Sequence, residues 1–481
     1  MSNNKQVWTV GIIMMHDGIS FFEYNELEQS ILDQKKFEYV RYVIFYYDQE
    51  SKLATIKKLE RDSDGVFRFV KKEGPTLKDL YNKSDLIDFL KKYVRKDTSE
   101  ADNRIMIITW GHAAGLGYFA QREEDSSGVD YFKDYSLIDL GLTPENKVKF
   151  NKLFNFFTFF KANSSSKFST DGLMSFVISE NLKLDRSPMF EQLIRERLKV
   201  ITARDLNEIF ELGLPEQKVD ILLTINCYTQ MFEMGYAFRS KVKMLVSPQT
   251  TIPFAGINYR TLFEVMEGSP STDLTTLAEN IRDNFHKKYS EEPFKTNFFN
   301  RYPNFVKKIK EVSISANFPE YYESFYDTIE KIASPFLRYS DRSSGSYSPV
   351  IKQVILNSRR ACGDLTVNRD YGIIDFNHFL NEFDVRQKGY TGIDWNTIYS
   401  DFLNAKGKCN AATLKSIDPN AYTPFGTYET SISPLFLSIF FPFGFTSEIQ
   451  RLLVKMYDGF EPDPLRTFTW DDFVLFLFKD S

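Results

Sequence analysis

The chain reads as an α/β protein with a mainly parallel central sheet covered by helices. Three observations predict this. Short apolar runs rich in Val, Ile, Phe and Tyr recur through the first part of the 481-residue chain. Segments with apolar residues at helical spacing lie between several of them. Two of the runs, Arg104 to Trp110 and Val219 to Ile225, end in turns bearing a His and a Cys, and functional loops gather at the carboxyl ends of parallel strands.

In order, Trp8 to Met15 and Val40 to Tyr47 are strands, and Phe21, Phe22, Leu27, Ile31 and Leu32 place a helix between them. Leu53 to Leu59 and Val66 to Val70 alternate around Asp62, Asp64 and Gly65, the pattern of a hairpin. A stripe from Leu77 through Leu80, Leu86 and Leu90 to Val94 marks a helix, with Thr76 and Ser84 as candidate caps. After the strand Arg104 to Trp110 comes a Trp-Gly-His turn with small residues. The alternation then lapses from about 121 to 200, an insertion holding the acidic loop REEDSSGVD and the Ser-rich linker KANSSSKFSTDG, where nicking is expected. Thr202 caps a helix through Leu212, and Val219 to Ile225 is the next strand. From Cys227 onward the apolar spacing turns helical at Met231, Met234, Ala237 and Phe238, so Cys227 is expected at a strand-to-helix junction. Lys243 to Ser247 is a strand, and helices at Tyr259 to Met266 and Asp273 to Tyr289 complete a first domain, 1–292. A second, α+β domain, 293–481, is expected to hold helices at Tyr321 to Leu337, Pro349 to Arg360, Ile374 to Phe383 and Phe445 to Met456, and a strand at Leu435 to Phe441.

The totals narrow the function. With 46 Phe and 26 Tyr the cores are rich in rings. A balance of 60 basic against 65 acidic residues gives no electrostatic ground for a nucleic-acid or anionic-membrane partner. The 3 cysteines, Cys227, Cys362 and Cys409, make no disulfide framework. The opening apolar run is too short for a secretory leader, and SISPLFLSIFFPFGF is broken by Pro434, Pro442 and Gly444, so a cytoplasmic protein is expected, or a secreted one had a leader been removed. No CxxC or HxxxH spacing occurs, so no zinc is assigned. Glu123, Glu124, Asp125 and Asp130 offer oxygen ligands for calcium without EF-hand spacing. A solvated loop is the plainer reading, and no cofactor is assigned.

A thiol is a useful nucleophile only as its thiolate. At a strand-to-helix junction, unpaired N–H groups and the helix dipole would favour that form at Cys227. His112, at another strand end of the same sheet, would take the proton and return it to a leaving group. The backbone N–H groups of Cys227 and Ala113 would bind an oxyanion. Against this, a lone Cys after an apolar run is most often a small buried hydrophobe. Cys362 follows a helical segment whose carboxyl end repels a thiolate, and Cys409 sits in a Lys-flanked loop. His286 and His378 lie in ordinary amphipathic helices.

These residues resemble the clostripain-like cysteine peptidases, relatives of caspases, gingipains and legumain. IITWGHAAGLGY is similar to that family's histidine strand, and LLTINCYTQMFEMGYAF with VSPQTTIPFAGINY to its nucleophile strand and following loop. WTVGIIMMHDG, IIDFNHFL, PLFLSIFFPFG and FTWDDFVLFL extend the resemblance over nearly the whole chain. It implies a caspase-like sandwich with a C-terminal domain and a His112–Cys227 dyad. It also implies a substrate-binding side that includes Ile225, Ser247 and Gln249, and hydrolysis of polypeptide substrates through an acyl-thioester. Members selective for Arg or Lys carry an Asp two residues before the nucleophile, where this chain has Ile225. An apolar side chain cannot neutralise a basic P1 group, so the expected P1 residue is neither Arg nor Lys. Ala113 stands where the family usually has Gly. Cleavage or displacement of the insertion, whose linker holds Lys161 and Lys167, or an activating partner, is expected to control activity. Two alternatives stay open: a non-catalytic caspase-like scaffold that binds peptides or proteins, and a transpeptidase using the same acyl-enzyme.

Overall fold

A computed structural model describes residues 7–16, 21–34, 37–49, 51–76, 79–95, 103–114, 117–122, 198–253, 255–290, 311–345, 347–362, 365, 372–388, 422–424, 437–442, 470 and 472–474. The acidic loop, the Ser-rich linker, Cys409 and the expected helix at Phe445 to Met456 lie outside these. The strands are β1 (Trp8–His16), β2 (Val40–Asp48), β3 (Leu53–Arg61), β4 (Phe67–Thr76), β5 (Arg104–Trp110), β6 (Ala113–Ala114), β7 (Gly117–Arg122) and β8 (Leu198–Thr202). They continue as β9 (Val219–Ile225), β10 (Val242–Ser247), β11 (Glu311–Ser313), β12 (Ser315–Asn317), β13 (Ile373–Asp375), β14 (Tyr422–Pro424) and β15 (Ser438–Phe440). The α-helices are α1 (Phe21–Leu32), α2 (Lys83–Phe89), α3 (Ala203–Gly213), α4 (Phe232–Ala237), α5 (Tyr259–Gly268), α6 (Leu274–Ser290), α7 (Tyr322–Ser340), α8 (Pro349–Cys362) and α9 (Phe376–Gln387).

Eight strands form one sheet in the order β12-β10-β9-β5-β1-β2-β3-β4. The five from β10 to β2 run parallel, while β12 and the β3–β4 hairpin are antiparallel edges. The parallel strands read as continuous apolar runs because both faces are covered. Ile13, Ile105, Ile107 and Leu222 point to one cluster, packed against α2, α3 and α4. Val10, Ile12, Met106, Ile108, Leu223 and Ile225 point to the other, packed against α1, α5 and α6. This helix, sheet, helix layering is the expected α/β class. Asp220 helps to set the register at the amino end: its carboxylate accepts the Ile105 N–H at 2.7 Å and lies 2.7 Å from the Lys243 ammonium.

Some boundaries differ from expectation. The helix after β4 starts at Lys83 with Asn82 as its cap, not Thr76 or Ser84. The Asn82 side chain accepts the Ser84 N–H, and Leu90–Val94 extends the helix as a π turn. Thr202 caps α3 as expected, in a capping box with Asp205. β12 comes from beyond residue 293 yet pairs with β10, so the segment assigned to the second domain completes the main sheet. Ile374 and Asp375 belong to β13 rather than to a helix, because Asp375 turns the chain and caps α9 by accepting the His378 N–H at 2.8 Å. Rings from Phe336 of α7 and from Phe379, Phe441, Trp470 and Phe473 pack together, which accounts for part of the unusual Phe content. Among the described residues no helix is long and apolar enough to cross a membrane.

Candidate active site

β5 and β9 are parallel neighbours, with Trp110 opposite Ile225 as their last registered pair. His112 and Cys227 each stand two residues farther on. Neighbouring strands are about 4.8 Å apart, so the topology brings the two expected residues to one place on the carboxyl edge.

Asn226 holds this edge together and is fully buried. Its Oδ1 accepts the Thr109 hydroxyl at 2.7 Å, and its Nδ2 donates to the carbonyls of Gly111 at 2.9 Å and His112 at 3.3 Å. The Gly111 N–H donates to the Ile225 carbonyl at 3.2 Å, continuing the ladder past the strand end. A side chain at Gly111 would lie 3.2 Å from Cβ of Met15 and from the Phe119 ring, which explains the glycine before His112. His112 then leads into the hairpin of β6 and β7, in which Ala113 pairs with Tyr118.

Cys227 sits in a tight turn. The Thr229 hydroxyl donates to the Asn226 carbonyl at 2.9 Å, the Tyr228 N–H donates to the Thr250 carbonyl at 3.1 Å, and the Gln230 N–H donates to the Pro248 carbonyl at 2.9 Å. Tyr228 adopts a positive φ of 60° to close the turn. The expected junction with a helix is corrected here: α4 begins only at Phe232, five residues on, and spans 6 residues. Its amino end does not reach the sulfur, because the macrodipole acts over the first turn alone. Packing around the sulfur instead disfavours a negative charge. Burial pushes the thiol up from 9.0 to about 11. The Cys227 residue as a whole is half-buried, and its Sγ is 3.8 Å from the Ile252 carbonyl. At neutral pH the thiol is protonated and needs a base.

The three expected substrate-side residues are all enclosed. Ile225 is 3% exposed and belongs to the apolar face with Ile252, Ala255 and Ile257. The Ser247 hydroxyl meets the Gln230 side-chain oxygen. Gln249 donates its side-chain amide to Asp375 at 2.8 Å and its backbone N–H to the Ser313 hydroxyl at 3.1 Å. Gln249 therefore ties the loop after β10 to Ser313 and Asp375, while Ser247 ties the end of β10 to the turn after Cys227. Cys362 is buried in α8, where its thiol is pushed far up by desolvation. Among the described residues, no group of three or more His, Cys, Asp or Glu could hold a metal. Asn226 escaped the sequence reading. Its signal was a polar residue closing an apolar run, and a buried amide must find partners.

Residues 195–344, which include Cys227 but not His112, match the clostripain family. A comparison with curated proteins found no match. Among solved structures, an inactive zymogen C11 protease from Parabacteroides distasonis is similar over 98% of both chains, with TM-score 0.52 and 13% identity. A secreted C11 cysteine protease from Bacteroides thetaiotaomicron, iotapain, gives TM-score 0.53 and 12% identity over 98% of this chain and 99% of that one. A secreted C11 cysteine protease from the same organism, in complex with an irreversible peptide inhibitor, gives TM-score 0.50 and 11% identity over 95% of this chain and 100% of that one. At these identities the structural likeness concerns the fold. The match to the clostripain family of cysteine peptidases rests on residues 195–344, the segment that carries β9 and Cys227.

Proposed function

We propose that the chain hydrolyses peptide bonds through a His112–Cys227 dyad. The observation that supports this reading is the register of β5 and β9, whose last pair is followed two residues on by His112 in one strand and Cys227 in the other. His112 takes the thiol proton as the sulfur attacks the scissile carbonyl, then gives it to the leaving amine. Water, deprotonated by the same imidazole, resolves the thioester. The backbone N–H groups of Cys227 and Ala113 are the oxyanion donors in this reading. A polypeptide substrate agrees with the irreversible peptide inhibitor bound to the iotapain-organism structure.

Ile225 forms the floor of the P1 site, which therefore takes an apolar or small residue rather than Arg or Lys. Ser247 and Gln249 act on the substrate side by shaping the loop above that floor. The insertion controls access. Its two ends are tied by pairing of Gln121 with Lys199 and Arg122 with Leu198, and β7 pairs directly with the strand that follows His112. Cleavage or displacement between those ends is thus transmitted to the histidine turn, in line with the zymogen form of the P. distasonis relative.

A peptide-library cleavage profile of the wild type against Cys227→Ala tests the reading. Cleavage after apolar or small residues, lost in the variant, is expected. Strong cleavage after Arg or Lys sinks the P1 assignment. Persistence of cleavage in Cys227→Ala sinks the dyad, and a transpeptidase shows itself as aminolysis product when an amine is added. Stoichiometric labelling by a peptidyl thiol electrophile separates the enzyme from a non-catalytic scaffold. Full activity of a folded variant with an uncleavable 162–172 linker removes obligatory processing there.

A further inference from the structure

The loop after β10 lies against both Cys227 and Ile225. Cys227 Sγ is 3.8 Å from the Ile252 carbonyl. A Cβ at Gly256 would lie 3.2 Å from Ile225 Cγ2, so the backbone of the loop rests directly on that side chain. Beneath it Ile225 is 3% exposed, and Ile252, Ala255 and Ile257 are themselves buried. A large substrate side chain reaches Ile225 only if this backbone gives way.

The loop is gripped by two residues near the carboxyl end of α6. The Lys288 ammonium donates to the carbonyls of Ala255 at 2.8 Å and Ile257 at 3.0 Å, and the Tyr289 hydroxyl donates to the Gly256 carbonyl between them at 2.8 Å. Consecutive carbonyls of the loop are thus bound by neighbouring side chains of one helix. The Lys288 side chain is only 6% exposed, and its ammonium also lies 3.1 Å from a carboxylate oxygen of Glu26 in α1. A charge so enclosed needs its partners, which makes the grip costly to break. Tyr289 is buried beside Phe285, their ring centroids 4.9 Å apart. Within the loop, Gly256 takes a φ of +54° and its N–H donates to the Pro253 carbonyl at 2.8 Å, closing a tight turn.

We propose that Lys288 and Tyr289 are positioning residues for the P1 site: by holding the loop down on Ile225 they confine that site to a small apolar side chain, such as that of Ala. Neither touches the substrate. Both act through the carbonyls of residues 255–257, and a ring at P1 would have to displace backbone that these hydrogen bonds fix. The inference rests on the reading of Ile225 as the P1 floor and narrows it.

The test labels Cys227 with two peptidyl chloromethyl ketones, identical except for Ala or Phe at P1, and follows each residue by mass spectrometry. Wild type is compared with Lys288→Met, which keeps the stem and removes the ammonium, and with Tyr289→Phe, which removes one hydroxyl and keeps the packing. Wild type is expected to favour the Ala probe by about 10-fold or more, and each variant to lose most of that preference through faster reaction with the Phe probe. Cys362, buried in α8, is the internal control, because a general loosening of the fold labels it as well. A wild type that favours the Phe probe overturns the inference, as does a changed ratio accompanied by labelling of Cys362. Ile225→Ala separates this inference from the reading beneath it. A wild-type ratio in Ile225→Ala sinks Ile225 as the floor, whereas a changed ratio there with wild-type ratios in Lys288→Met and Tyr289→Phe overturns this inference alone. Iodoacetamide alkylation of His112→Ala at the wild-type rate would sink the dyad without touching the ratio of two probes on one thiol.

Discussion

The side-chain amide of Asn226 donates to the backbone carbonyl of Gly111 at 2.9 Å, across the junction of two parallel strands. Each residue immediately precedes one of the proposed dyad. The bond spans 115 positions of sequence, and with the Thr109 hydroxyl on its other side the amide has no freedom to rotate. The separation of the two turns is thus set by a third side chain.

Asn226→Leu keeps the volume and removes these bonds, leaving the Thr109 hydroxyl and two carbonyls beside an apolar group. Unmet buried polar groups cost about 1–3 kcal/mol each, so a loss of about 3 kcal/mol in urea unfolding is expected. The residual folded protein should also alkylate slowly at Cys227, because the His112 turn is released.

Gly256 shapes the loop over Ile225. Its φ is +54°, and a Cβ there would lie 2.4 Å from the Tyr259 hydroxyl and 3.2 Å from Ile225 Cγ2. Gly256→Ala is expected to lower stability by about 1–3 kcal/mol and to reduce peptidase activity beyond that loss. Gly268→Ala, where nothing lies within 4 Å, is the control and should be neutral or slightly stabilising. Calorimetric melting and a peptide assay check both.

The Cys227 thiol, pushed up to about 11 by burial, fixes a pH dependence. In His112→Ala, alkylation of Cys227 should rise about tenfold per pH unit and level off near that value, since only the thiolate reacts. At neutral pH wild type should alkylate faster than His112→Ala, because the histidine takes the thiol proton. The folded chain holds this thiol proton more tightly than the unfolded one does. The stability it contributes is therefore full below about 9 and falls as pH rises towards 11. Urea titrations of wild type and Cys227→Ala between those limits give the difference.

Gln249 and Asp375 couple the loop after β10 to the amino end of α9 through a bond of 2.8 Å. Asp375→Ala should cost more than Gln249→Ala, because it also removes the helix cap, worth about 1 kcal/mol. A double-mutant cycle by urea unfolding should give a coupling of about 0.5–3 kcal/mol, and additive losses would show the contact to be idle.

The sequence by itself determined the class of fold and pointed to the two residues proposed for the chemistry. Apolar runs such as IMIIT and ILLTI can be nothing but interior strands once helices separate them, and local periodicity reports that directly. It also located His112 and Cys227, since a turn of small and polar residues ending an apolar run is a local feature. The tertiary structure decided what depends on pairing between distant segments. It placed β5 beside β9, added β12 from beyond residue 293, and gave Asn226 its three partners. It also moved the start of α4 away from Cys227, because the carbonyls of Pro248 and Thr250 bind the N–H groups of Gln230 and Tyr228 before a helix can form. Which backbone groups meet across a sheet is a matter of register, and register is settled by packing of whole strands, which spacing within one segment does not encode.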